Sequence, residues 1–491
     1  MSNENVEDLK HKAVAGTFWN FMSNILTKLA SMVVQLVLAR LILPEEFGTV
    51  ALLNVFITIS NVFTTTGFAS AIIQKKDLTE TDKASAHYIS VGVSVLMYGI
   101  IFLIAPWVGK FYNDPALCDV LRVYGIVIVI AGTRSVHNAL VRKEMRFRIN
   151  LWSGVITVLF QGTVGIVLAY LGWGVWALVC SYITGSFVGM VYIKLMVRWK
   201  PQRVFSWKAA WGMFRFSSNV LLAHLFNTVY SDIRALLIGK VYDAETLAYY
   251  DRANLIRGYV FDTTIGAIST VMLPVLSKVN DDVNKVKQGL RRIVRLNMYV
   301  STPMRVGLIL VAEPLILLLL GQNWVSSAPF LQLICITNLL APTLNRTNAY
   351  LAIGKSKLSL RSQLINKGCI LLLIFATAHI SVYMVVLSAL VGNLISFVEG
   401  LMVNKKYLGY SIREQLVDVL PALALSVVMG VPVYLVSLLG LSIFAQLALQ
   451  CTVGLLTYIL LSVVVRYESF YYLVNLLKNM LLKKTGGKKE T

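Results

Sequence analysis

Long apolar stretches recur along almost the whole chain, from Gly16 to Val465, with only short polar breaks between them. A helix needs about 20 mostly apolar residues to cross a hydrocarbon core of about 30 Å, and about fourteen stretches reach that length. Hydrophobic residues make up 57% of the sequence and charged residues only 14%, which excludes an ordinary soluble domain. The sequence therefore predicts an all-α integral membrane protein with about 14 transmembrane helices.

The chain carries a formal net charge of +21, from 45 Lys and Arg against 24 Asp and Glu. In a soluble protein this balance would indicate a nucleic-acid partner, but here most of the cations fall in alternate connections between the apolar stretches. Examples are Lys75, Arg142, Lys200, Lys287 and Lys405. Basic short loops stay on the cytoplasmic side, so the pattern predicts a protein of the cytoplasmic membrane with both termini in the cytoplasm. It also indicates that the positive charge does not serve a nucleic-acid partner.

An internal repeat divides the predicted spans. The sequence FMSNIL, which begins at Phe21, recurs as FSSNVL from Phe216. Two similar halves in one orientation are the parallel repeats that transporters use as lobes. The predicted division is an N-lobe of spans 1–6 (1–205), a C-lobe of spans 7–12 (206–410), two additional spans (411–465), and a basic amphipathic cytoplasmic tail (466–491).

Polar side chains recur on one face of several spans. The first span carries such a stripe at helical spacing, consisting of Asn20, Asn24, Thr27, Lys28, Ser31 and Gln35. The first two spans of the second half repeat the theme with Asn227, Tyr230, Arg234, Asn254 and Arg257. Polar residues inside the bilayer are costly, so they are expected to line a cavity.

The ionisable residues within the spans are mostly cations. Arg134, Arg305 and Arg346 join Lys28, Arg234 and Arg257 as predicted substrate-binding groups of a cationic cavity. Asp232 and Asp262 are assigned to charge balance or ion coupling. The cavity should be net positive and attract an anion. Arg295, closer to a span end, is expected instead to extend to the membrane surface.

No catalytic signature is present. The chain has no GxxxxGK[ST] sequence for ATP hydrolysis and no HExxH or GxSxG motif. Its five cysteines are scattered and form no CxxC pair, so they indicate packing residues and not a metal site. The sequence therefore predicts a transporter without cofactor or metal, and not an enzyme.

Four segments, in order along the chain, carry a family resemblance. They are LARLILPEEFGTVALLNVF, GFASAIIQKKDLTETD, NALVRKEMRFR and VAEPLILLLLGQNWVSSAPFLQLICI. With the predicted topology, the chain resembles the polysaccharide transporter branch of the multidrug/oligosaccharidyl-lipid/polysaccharide exporter superfamily. This branch includes flippases for O-antigen, colanic acid and teichuronic acid precursors. The resemblance extends from about Ala13 to Val465.

The resemblance implies two six-helix lobes around a cationic cavity, which moves an undecaprenyl diphosphate-linked oligosaccharide to the outer leaflet. Alternating access is the mechanism expected of two such repeated lobes. It implies functional cations on the first helices of each lobe, which by position are Lys28, Arg234 and Arg257. The implied partners are the lipid-linked oligosaccharide, membrane lipids, and polysaccharide polymerase and export machinery. Two alternatives stay open: a drug/cation antiporter of the same superfamily, and a membrane-bound polysaccharide polymerase or ligase.

Overall fold

The structure is a computed structural model that describes residues 3–277, 282–344, 346–475 and 478. The side chains of 3–18, 20, 262–277, 347, 348, 352 and 356 lie outside the described part. The chain forms two compact units, residues 1–251 and 252–491. The boundary between two compact units need not coincide with the boundary between two sequence repeats. The predicted repeat boundary near 205 therefore stays a prediction.

The described residues of the first unit form nine helices and the start of a tenth. These are α1 (Asn3–Leu41), α2 (Pro44–Asn61), α3 (Gly67–Gln74), α4 (Glu80–Tyr112), α5 (Ala116–Tyr124), α6 (Ile126–Lys143), α7 (Phe147–Tyr170), α8 (Val175–Val197) and α9 (Trp207–Val241), followed by α10 (Ala244–Ser277), within which the unit boundary falls. A short π-helical segment, Val62–Thr66, joins α2 to α3.

Among the described residues, the second unit continues from α10 through α11 to α18, before the helical segment 468–475. These helices are α11 (Val283–Leu310), α12 (Ala312–Leu319), α13 (Ser327–Thr337), α14 (Thr347–Ala352), α15 (Ser356–Thr377), α16 (Val382–Leu408), α17 (Ile412–Ser437) and α18 (Ile443–Val464). The axis bends by 73° between α11 and α12, at a break of one residue. This pair covers one predicted span.

Among the described residues, 10 helices are long and apolar enough to cross a membrane, or up to 12 if each of two bent pairs counts as one span. The two remaining predicted spans correspond to α9 and α10, of 35 and 34 residues, which are long enough to cross a membrane. The all-α multi-pass membrane fold is therefore confirmed, and α9 and α10 carry Arg234 and Arg257.

Glycines allow α7 to lie very close to α1. A Cβ atom at Gly154 would lie 2.6 Å from Thr27 Oγ1, and one at Gly162 would lie 2.6 Å from Val34 Cγ2. Farther along, a Cβ at Gly165 would lie 3.3 Å from the Leu38 methyl groups. We call this contact the α1–α7 seam. Small residues at helix interfaces are the usual means of close packing within membranes, where lipid is as apolar as Leu.

Gly48, in the PEEFG segment at the start of α2, is the most tightly enclosed glycine of the first unit. A Cβ atom there would lie 1.6 Å from the carbonyl oxygen of Ala244, the first residue of α10. A backbone atom cannot move aside by rotation about a single bond, as the end of a flexible side chain can. We predict that Gly48→Ala will lower stability at or beyond the upper end of the about 1–3 kcal/mol typical of overpacking. The thermal unfolding midpoint in detergent measures this.

Gly92 on α4 provides the matched control, because a Cβ atom there would meet nothing within 4 Å. Alanine is the better helix former by about 1 kcal/mol, so Gly92→Ala should be neutral or slightly stabilising. Equal midpoints for the two variants would show that α2 and α10 do not approach as closely as described.

An ion network joins α11 to α17 in the second unit. The buried Asp418 carboxylate accepts hydrogen bonds from Arg291 Nε at 2.7 Å, from Arg295 Nε at 2.6 Å and from the Tyr410 hydroxyl at 2.5 Å. Glu414, in a capping box at the start of α17, accepts from Arg291 Nη1 at 3.0 Å. Arg295 also donates from Nη1 to the exposed Glu468 carboxylate, and the expectation that its side chain extends to the membrane surface stays a prediction.

The chain after α18 folds back onto the second unit. Residues 468–475 are helical, and Tyr467 stacks on Tyr299 with ring centroids 5.2 Å apart. Phe470 and Leu473 pack against the same buried cluster as Tyr467. Residues 479–491, which hold most of the basic charge of the predicted tail, lie outside the described residues.

Candidate functional site

A polar cavity of about 630 Å³ lies within the first unit, between α1, α6, α7 and α8. Its lining is rich in amide, hydroxyl and guanidinium groups. The described lining residues are Ser23, Asn24, Thr27, Arg134, Asn138, Arg142, Phe147, Asn150, Ser153, Gly154, Thr157, Val158 and Ile193. A volume between about 300 and 1,000 Å³ is typical of small-molecule sites. We call it the first-unit cavity.

Helix α6 supplies the charge of this cavity. Arg134, Asn138 and Arg142 follow at intervals of four residues, which places them on one face of the helix. The opposite face carries Val136 and Leu140, which are buried in a core cluster with residues of α3, α4 and α9. Burial of that apolar face fixes the rotation of α6, and the polar face is thereby directed at the cavity.

Close packing of α8 on α7 shapes the wall beside Arg134. A Cβ atom at Gly185 would lie 2.9 Å from the Thr157 carbonyl oxygen, and one at Gly189 would lie 2.2 Å from Thr157 Oγ1. These two glycines therefore allow α8 to pack closely on α7. Gly189 also leaves room for the Arg134 guanidinium, whose Nη1 would be 3.5 Å from the same added atom.

The first-unit cavity is electrostatically positive. Arg134 and Arg142 are close enough to repel one another, and no acidic residue belongs to the described lining. Within the described part of the chain, no ion pair or hydrogen bond engages the Arg134 side chain. The buried Thr27 hydroxyl likewise has no partner there. Cations held together without a counter-charge favour an anionic ligand.

The predicted stripe on α1 is only partly directed at this cavity. Asn24 lines it, whereas Lys28 and Ser31, both half-buried, are not among its described lining residues. Gln35 is buried and donates a hydrogen bond to the Tyr182 hydroxyl of α8 at 3.1 Å, so it joins two helices. The side chain of Asn20 lies outside the described residues.

On α9, Arg234 lies among tyrosines. Its Nη1 donates to the Tyr250 hydroxyl at 3.2 Å, and Tyr230 is an electrostatic neighbour. The exposed Asn227 side chain donates to the Ala223 carbonyl of its own helix. Asp232 accepts from Ser231 and forms no ion pair with an arginine in the described part of the chain. Its role in charge balance or ion coupling stays a prediction.

The second unit brings two of the predicted cations together. Arg305 is buried, with its guanidinium 4.5 Å from the centroid of the Phe261 ring, and donates to the Ser301 carbonyl. Arg257 interacts electrostatically with Arg305, and its Nε donates to Asn254 at 3.0 Å. The side chain of Asp262 lies outside the described residues, so its predicted role is not addressed.

Arg346 occupies a different environment. Its Nη2 lies 2.6 Å from Glu399 Oε2 and donates to the Ser396 carbonyl at 2.8 Å, while Ser362 also donates to Glu399. Both partners of the ion pair are at least nine-tenths buried. The charge of Arg346 is therefore neutralised within the protein, and we leave this residue out of the proposed substrate contacts.

Several lining residues were not recognised as site residues from the sequence, among them Asn138, Arg142 and Asn150. Arg142 was assigned only to a basic connection, although it lies at the end of α6, four residues beyond Asn138. The four-residue spacing of Asn138 and Arg142 from Arg134 was the signal in the sequence that could have identified them. The spacing alone does not show that α1 and α7 close a cavity over this face.

The family described as polysaccharide biosynthesis protein matches residues 37–329. The lipopolysaccharide biosynthesis protein WzxC of Escherichia coli (strain K12) is 23% identical over 68% of this chain and 68% of its own length. The succinoglycan biosynthesis transport protein ExoT of Rhizobium meliloti (strain 1021) is 24% identical over 65% of each chain.

The fold is similar to that of solved transporter structures. The lipid II flippase MurJ, in an inward closed conformation, has a TM-score of 0.74 at 16% identity and covers 91% of this chain and 98% of MurJ. An inward-facing multidrug resistance MATE family transporter of the MOP superfamily has a TM-score of 0.61 at 13% identity, covering 78% of this chain and 98% of the transporter. The chain therefore belongs to the polysaccharide biosynthesis protein family, as its sequence motifs predicted, and has the fold of these membrane transporters.

Proposed function

We propose that this protein is a flippase that moves an undecaprenyl diphosphate-linked oligosaccharide across the cytoplasmic membrane for surface polysaccharide biosynthesis. The observation that carries the proposal is the first-unit cavity, which combines Arg134 and Arg142 with amide and hydroxyl groups and no acid among its described lining residues. The family match and the named relatives WzxC and ExoT support the same pathway.

The chemistry of the cavity suits both parts of such a head group. Guanidinium groups bind phosphate oxygens through charge-assisted hydrogen bonds, often in bidentate geometry. The amides of Asn24, Asn138 and Asn150 each offer donors and an acceptor, which sugar hydroxyls require. A purely phosphate-binding site would not need this neutral polar lining, so the composition favours a phosphorylated sugar.

The remaining predicted cations supply further contacts in this proposal. Lys28 and Arg234 belong to the first unit, and Arg257 and Arg305 to the second. Alternating access by the two halves would expose the head group to each side in turn, as in other repeat-built transporters. Cytoplasmic termini, and partnership with a polysaccharide polymerase and export machinery, also belong to the proposal.

The described residues offer no feature that favours either alternative, the drug/cation antiporter or the polysaccharide polymerase or ligase. A drug/cation antiporter needs acidic groups to hold a cationic cargo or a proton, and the described lining of the first-unit cavity has none. A polymerase or ligase is an enzyme, whereas the fold is shared with a flippase and a transporter. The chain is a transport protein and not an enzyme of the pathway.

The test uses purified full-length protein in liposomes that contain a fluorescent undecaprenyl diphosphate oligosaccharide. An impermeant quencher reports how fast the labelled head group changes leaflet. We expect exchange well above protein-free liposomes, and no acceleration for a fluorescent phosphatidylcholine in the same vesicles. Uptake of a cationic dye without exchange of the lipid-linked sugar would instead establish the antiporter.

A further inference from the structure

A second basic cavity, of about 250 Å³, lies in the other unit, where α11 meets the helical segment 468–475. Its lining combines arginines with neutral polar groups and one apolar side chain. The described lining residues are Gln288, Arg291, Arg292, Arg295, Leu296, Glu468, Ser469 and Tyr472. We call it the α11 cavity. It is separate from the predicted substrate cations and has no role in the proposed transport path.

Only two of the three arginines that line this cavity are paired with acids among the described residues. Arg291 is paired with Glu414 and Asp418, and Arg295 with Asp418 and Glu468. Arg292 has no acidic partner in the described part of the chain. Its guanidinium lies instead 5.1 Å from the centroid of the Tyr472 ring. One arginine is therefore held in place by an aromatic ring with its charge available to a ligand.

Glu468 is the weakest of the acids in this network. Its side chain is 83% exposed, whereas that of Asp418 is fully buried. An incoming anion therefore does not have to displace Asp418 from the arginines. It can replace the exposed Glu468 carboxylate beside Arg295 while it contacts Arg292, and the buried part of the network stays intact.

The position of the cavity indicates which anion it takes. The span α18 ends at Val464, and Val463, Val464 and Val465 are exposed apolar residues immediately before the segment that carries Glu468. An apolar surface that ends at a basic pocket lies where the hydrocarbon of a bilayer meets its head groups. Basic pockets at this level of a membrane protein are typical sites for anionic lipid head groups.

We propose that the α11 cavity binds the phosphate of an anionic phospholipid, such as phosphatidylglycerol, between Arg292 and Arg295. The neighbouring Gln288 and Ser469 side chains offer hydrogen bonds to the rest of the head group, and the valines at the end of α18 contact its acyl chains. Docking of the 468–475 segment is thereby coupled to the composition of the surrounding membrane.

The test is lipid binding to the full-length protein in neutral detergent, measured by native mass spectrometry with phosphatidylglycerol and phosphatidylcholine of the same chain length. We expect a preference for phosphatidylglycerol that falls about fivefold in Arg292→Gln, the loss expected for one cation at a lipid surface. Glu468→Gln should tighten the binding, because it removes the competing carboxylate. Lys285→Gln, which changes an exposed cation on the same helix, should have no effect.

Three results would overturn the proposal. The first is the absence of any preference between the two lipids. The second is an equal loss in Arg292→Gln and Lys285→Gln, which would show that only net charge matters. The third is displacement of the lipid by inorganic phosphate at a similar concentration, which would identify a site for a free anion. Arg292 and Glu468 are both exposed. Unchanged thermal unfolding midpoints would confirm that the variants at these positions fold.

Discussion

Arg134→Gln should lower the rate of leaflet exchange of the lipid-linked oligosaccharide by about 10- to 100-fold. A hydrogen bond to a charged group contributes about 1.5–3 kcal/mol, and each 1.36 kcal/mol is a factor of ten in rate. Arg134 has no partner within the described part of the protein, so its substitution breaks no ion pair of the fold. The thermal midpoint should therefore change little while transport falls.

Two further variants make this result specific. Arg134→Lys retains the charge but not the planar guanidinium, and it should recover part of the rate. Arg122 is an arginine of the same unit that packs over Phe102, with its guanidinium 4.4 Å from the ring centroid, and does not line the cavity. Arg122→Gln should retain the wild-type rate. Wild-type exchange in Arg134→Gln would exclude the first-unit cavity from the substrate path.

Asp418→Asn should lower the stability of this protein strongly. The carboxylate joins Arg291, Arg295 and Tyr410, and an amide provides only one acceptor oxygen for these donors. Removal of one partner from a buried ion pair costs about 3–5 kcal/mol. The arginines are about a quarter exposed, so hydration should reduce the cost to about 3 kcal/mol.

Thermal unfolding in detergent, followed by circular dichroism, measures this loss. Glu468→Gln is the matched control, because it removes an acid from the same network at an exposed position and should leave the midpoint almost unchanged. Similar midpoints for the two variants would mean that Asp418 is accessible to water and that α11 and α17 are held together by apolar packing alone.

The fold followed from the sequence because the bilayer imposes a simple rule: each span must be a helix of sufficient length and apolarity. Every predicted span coincides with a helix, a pair of bent helices, or helices joined by a short break. Breaks within spans were not predicted. The bend between α11 and α12 follows Leu310, inside the run LILVAEPLILLLL, where Glu313 and Pro314 in the first turn of α12 were the available sign of a new helix start.

The site was less predictable, because a polar stripe on one helix does not show which other helix packs against it. Arg134 and Asn24 were identified from their own spans, and the structure brings them to one cavity. Arg346 was identified by the same reasoning, yet Glu399 on another helix neutralises it. The two arginines have similar surroundings in the sequence. They differ only in tertiary contacts, which the local pattern does not contain.

The α1–α7 seam has a consequence for the lipid tail of the substrate. Gly154 and Gly162 bring the two helices into contact with no space for an added carbon atom, so the seam cannot open by side-chain rearrangement alone. Under the proposed function, a polyprenyl chain attached to a head group in the first-unit cavity has no lateral exit between the Thr27–Leu38 part of α1 and the glycines that face it on α7. The tail then reaches the bilayer outside this part of the seam, which restricts the direction from which the substrate is loaded.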